Sequence, residues 1–96
     1  MDEFDFSLEG VGEAALRRER AKARDLRKSR WWQNKIAKAS CYYCGQKTVP
    51  GELTMDHIVP LCRGGKSTKA NLVPSCKSCN TQKKTMLPQE WEDYLP

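Results

Sequence analysis

Cys41-Tyr42-Tyr43-Cys44 and Cys76-Lys77-Ser78-Cys79 are two CxxC pairs with 31 residues between them, and their reading decides the fold. That spacing suits one tetrahedral zinc ion with four thiolate ligands, each pair gripping it from its own turn. Gly45, directly after the first pair, fits a knuckle-like turn. A redox-active CxxC and structural disulfides are the competing readings. Two pairs without a thioredoxin-like pattern favour the metal. The chain needs such a clasp: it has 96 residues, 39% of them hydrophobic, and a mean hydropathy of −0.76. Small chains bury a smaller share of their surface, and metal binding free energy becomes folding free energy. A four-thiolate zinc leaves no open coordination position, so it is structural, and any chemistry comes from elsewhere. Cys62 stands alone in a loop and is assigned no role.

Outward from the cysteines, charge falls in blocks. Residues 1–13 hold five carboxylates and no Lys or Arg, and residues 85–96 hold three carboxylates and no Lys or Arg. All 17 basic residues lie between them. A centre this basic points to a polyanionic partner, most simply nucleic acid, and equally describes a solvated surface. No apolar run approaches the roughly 20 residues that cross a bilayer, and the acidic start is unlike a signal peptide. The expected location is cytoplasmic, with no membrane partner.

Residues 1–12 read as an acidic flexible tail, with Ser7, Gly10 and Gly12 and no periodicity. From Glu13 to Ala39 there is neither Pro nor Gly, and Ala, Leu, Arg, Lys and Glu predict one long basic helix over 13–40. Glu13 and Arg17 support its start as an i,i+4 pair. Leu16, Ala23 and Leu26 form one sparse apolar side, and Trp32, Ile36 and Ala39 form a second patch for packing on the domain. Arg24, Arg27, Lys28, Arg30 and Lys35 on this helix are candidate phosphate contacts. Beyond Ser40 the pattern predicts a strand over 53–59, a loop over 60–70 with Gly64-Gly65, an extended piece at 71–74, and a helix over 76–85. A last helix over 88–94 would turn Trp91 and Leu95 into core, with Pro88 in its first turn. Met55 and Ile58 are expected in the core, and Tyr42 and Tyr43 as packing around the zinc turn.

Read together, Asp56-His57-Ile58-Val59-Pro60, Gly64-Gly65, Asn71-Leu72-Val73-Pro74, Cys76-Lys-Ser-Cys79-Asn80 and Lys83 resemble the HNH nuclease family. The resemblance covers residues 41–91 and leaves the basic helix outside. It implies a small α+β protein: a ββα-metal finger, clasped by a four-cysteine structural zinc site of Cys41, Cys44, Cys76 and Cys79 and preceded by the helix, with 41–96 as the nuclease domain. Carried over by position, it implies Asp56 as first metal ligand, His57 as general base, Asn71 as brace of the loop and thereby of the histidine, and Asn80 as second metal ligand. The chain is thus of a D-H, N, N type and lacks the third histidine of the name-giving pattern. Carboxylate and amide oxygens are hard ligands that favour Mg²⁺ or Mn²⁺. His57, the only histidine, is then free to take a proton from water near neutral pH.

The implied reaction is metal-dependent hydrolysis of DNA, in line at phosphorus, leaving 5′-phosphate and 3′-hydroxyl ends. One site cleaves one strand per engagement, so a monomer nicks, and the partner is double-stranded DNA. Arg63, Lys66, Lys83 and Lys84 are further candidate contacts to its backbone. The other reading is a zinc-ribbon module that binds nucleic acid without cutting it and has no use for Asp56, His57 and Asn80. A protein-binding zinc domain is a third, distinguished by weak salt-dependent affinity for nucleic acid.

Overall fold

The computed structural model describes residues 12–95, and the expected acidic tail lies outside them, Gly12 apart. The predicted single helix is instead two, α1 (Glu13–Arg27) and α2 (Arg30–Ile36). Ser29 makes the break. Its backbone is extended, at φ −80° and ψ 158°; its hydroxyl donates to the Leu26 carbonyl at 2.6 Å and accepts the Trp32 N–H at 3.3 Å. One side chain thus closes the first helix and caps the second, which strong helix propensity on either side does not override. Turning the chain here lets Trp32 reach the core, where it is buried, while Ala23 is the buried apolar residue of α1.

A two-stranded antiparallel sheet follows, β1 (Thr54–His57) and β2 (Leu72–Ser75), with Asp56 opposite Val73 and His57 opposite Leu72. β2 is buried along its whole length, α2 packs on it, and α3 (Lys77–Lys83) packs on β1. Pro74 is tolerated because both strands are edges. Its carbonyl accepts the Tyr42 N–H at 2.9 Å, which docks the first CxxC turn against the sheet. The last helix, α4 (Pro88–Tyr94), has the predicted span. Its Trp91 packs with Cys41 and Cys79, joined by Tyr43, Cys76 and Met86. Leu95 does not join them: it follows the helix and is 42% exposed, a correction to its expected place in the core. Met55 and Ile58 are only half-buried, since two strands leave part of each strand face uncovered.

The loop between the strands is held tightly. Asn71 accepts the Val59 N–H on Oδ1 at 2.9 Å and donates from Nδ2 to the carbonyls of Val59, at 3.1 Å, and Lys66, at 2.8 Å. Gly65 sits so close to the Val59 carbonyl that any Cβ there would collide with it.

Candidate active site

The four cysteine sulfurs come together, all within 4.8 Å of one another. Sulfurs around a tetrahedral zinc stand about 3.8 Å apart, given Zn–S near 2.3 Å, and Cys44 and Cys76 Sγ are already at 4.0 Å. The geometry fits the ion. Turn amides polarise the cluster: burial raises the Cys41 thiol, but the N–H groups of Cys44, Cys76 and Tyr43 outweigh it and bring its pKa down to about 7. Cys76 is also the N-cap of α3, its sulfur accepting the Cys79 N–H at 3.4 Å.

Asp56 and His57 end β1 and are gripped from both sides. Asp56 is only 8% exposed. Its Oδ2 accepts from the Tyr43 hydroxyl and lies 3.3 Å from the Lys83 ammonium. Lys83, 1% exposed, also donates to the His57 carbonyl at 3.1 Å, and its Nζ stands 5.7 Å from the centre of the Tyr43 ring. A lysine can be buried only when its donors are met in this way. Lys83 therefore does not face a phosphate, as expected from its charge; it is an internal tie between α3 and β1. Tyr43 too does more than pack. Burial, then its bond to Asp56, raises its hydroxyl well above the ordinary value, so it stays a donor.

The His57 ring is half-buried, with Nε2 at 2.9 Å from Ser67 Oγ. Burial pushes the ring below its ordinary pKa; Lys83 and Arg27 push the same way, and the carboxylates of Asp56 and Glu19 oppose them. Near pH 7 the ring is neutral. Ser67 is buried and bound to α1: its N–H donates to Glu19 Oε1 at 2.6 Å and its hydroxyl to the Glu19 carbonyl. Glu19 itself is 7% exposed, and the Ser67 N–H holds its carboxyl below the usual range.

Asn80 lies on α3 one turn before Lys83 and is half-buried. Among the described residues, neither Asp56 Oδ1 nor the Asn80 amide makes a side-chain hydrogen bond. A carboxylate oxygen and an amide oxygen are thus uncommitted, the donor chemistry a hard cation takes.

Of the basic candidates other than Lys83, Arg27 reaches β1, its guanidinium 3.8 Å from Met55 Sδ. Arg24, Lys28, Arg30, Lys66 and Lys84 are exposed. Lys35 lies over the Trp31 ring at 5.5 Å, with Lys69 at 5.7 Å. Arg63 is engaged: it forms a bidentate pair with Glu90, at 3.0 and 3.2 Å, and also bonds the Thr85 carbonyl, tying the loop to α4. Sequence reasoning missed Glu19 and Ser67 and gave Lys83 and Tyr43 other work. One signal was there, since Glu19 falls in the Leu16, Ala23, Leu26 stripe, an acid where the helix buries its face.

Two antiparallel strands, a helix and a thiolate clasp at their ends define a ββα-metal finger. Residues 41–85, just under half of the chain, match the family model described as HNH endonuclease, and it is this segment that is similar to the HNH family. No curated protein matches the chain. α1 and α2 lie outside the matched segment. No helix among the described residues is long and apolar enough to cross a membrane.

Proposed function

We propose that the protein is a metal-dependent endonuclease that hydrolyses phosphodiester bonds of double-stranded DNA, nicking one strand per event. His57 is the general base, and Asp56 and Asn80 hold a single Mg²⁺ or Mn²⁺. The observation that carries this reading is the one-sided anchoring of His57: Nε2 is bound to Ser67 while its other nitrogen has no partner among the described residues, beside a carboxylate with one open oxygen. A neutral imidazole so placed can take the proton of an attacking water. Arg27, at the rim of the site, can bind a phosphate next to the scissile one. When bound, the cation would supply charge neutralisation at the phosphate as the bond breaks.

Supercoiled plasmid with Mg²⁺ or Mn²⁺ tests this: relaxation to the nicked circle is expected, lost with EDTA and with His57→Ala. No relaxation under any metal, by protein that binds the plasmid, sinks the reading. One observation favours the alternative of a non-catalytic zinc-ribbon nucleic-acid-binding module. Asp56 is buried, with Oδ2 held by Tyr43 and Lys83, as in a purely structural ion pair. That alternative predicts binding without cleavage, insensitive to His57→Ala.

A further inference from the structure

The contacts between α1 and the interstrand loop determine which nitrogen of His57 is free. Glu19's carbonyl oxygen can only accept, so the Ser67 hydroxyl gives its one hydrogen to it. Ser67 Oγ then has only lone pairs for His57, and Nε2, at 2.9 Å, must be the N–H that donates to it. The neutral ring is left with its lone pair on Nδ1. Ser67 itself is fixed by the 2.6 Å bond from its N–H to Glu19 Oε1. Glu19 is buried on a helix whose other charged residues are exposed.

We propose that Glu19 and Ser67 are positioning residues for His57: α1 locks the imidazole in the Nε2–H form, presents Nδ1 as the proton acceptor, and thereby completes the site from outside the HNH segment. Its catalytic consequence rests on the nuclease reading above; the tautomer does not. His57 is the only histidine, so ring ¹⁵N spectra of the full-length zinc-loaded protein report it alone. Spectra taken above the pH at which the ring protonates are expected to show Nε2–H in the unaltered protein. Ser67→Ala should give a mixture of both tautomers and at least a tenfold loss of plasmid nicking, in keeping with the roughly 10²–10⁴-fold worth of a positioned base. Glu19→Ala should do the same more weakly, and Glu19→Gln, which keeps an oxygen for the Ser67 N–H, should restore both. Bound zinc and circular dichroism identify variants that stay folded.

A folded Ser67→Ala protein that keeps a pure Nε2–H ring overturns the proposal, as does one with mixed tautomers that nicks at the original rate. If the unaltered protein shows Nε2–H, loses it in Ser67→Ala and never nicks, the endonuclease reading fails while the locking of the ring stands.

Discussion

A buried charge marks the difference between composition and site. Lys83 and Lys84 look alike in the sequence, yet one is enclosed and the other exposed. Removing one member of a buried pair leaves the other unpaired in a low dielectric, so Lys83→Met should lower unfolding free energy by about 3–5 kcal/mol in denaturant titrations. Lys84→Met, at the surface, should stay within about 0.5 kcal/mol. Nothing local distinguishes the two; only the turn of α3 that faces β1 does. His57 gives a second prediction. Its ring is depressed by burial, reinforced by Lys83 and Arg27 and opposed by Asp56 and Glu19. A base must be unprotonated to act, so nicking rates should hold a plateau above about pH 6.5 and fall only as pH drops through a lower apparent pKa. Stability follows the same sign: the neutral ring contributes above the unfolded value near 6.5 and the contribution is lost as pH falls through the folded one. A midpoint above about 6.5 in the rate profile would contradict the burial of the ring.

At the level of elements, β2, α3 and α4 were legible because turn residues and prolines bound them, and the observed spans fall within a residue or two of those read from sequence. The interruption at Ser29 was not. Its neighbours are all good helix formers, and a single serine in such a run carries weight only once Trp32 has somewhere to pack. Ser29→Ala should therefore cost about 1 kcal/mol, the usual worth of an N-cap, read from the shift in chemical denaturation. A null result there would mean that burial of Trp32 alone sets the bend. Gly65→Ala acts on the loop: a Cβ pressed against the Val59 carbonyl must displace the segment that Asn71 clamps. Nicking should weaken even where zinc content is unchanged.

Across the whole molecule, the clasp was the most legible feature, because four cysteines at that spacing admit few arrangements. The walls of the site were the least legible, since Glu19 and Ser67 lie 48 positions apart and meet only through the fold. The core is small, and one cluster of it, Cys41, Cys79 and Trp91, includes two of the thiolates themselves, so zinc removal by a strong chelator should abolish cooperative unfolding and near-ultraviolet dichroism together, with stoichiometry of one ion per chain beforehand. Structural zinc in small domains is worth on the order of 10 kcal/mol, far more than any side-chain contact described above. Tyr43 gives this arrangement an optical consequence. Its backbone lies within the Cys41–Cys44 turn and its hydroxyl holds Asp56, so one residue touches both the thiolates and the carboxylate. With cobalt in place of zinc, the visible absorption of the thiolate cluster should change when magnesium or manganese is added, giving a colour signal that tests the proposed cation position at Asp56 and Asn80 without any DNA present.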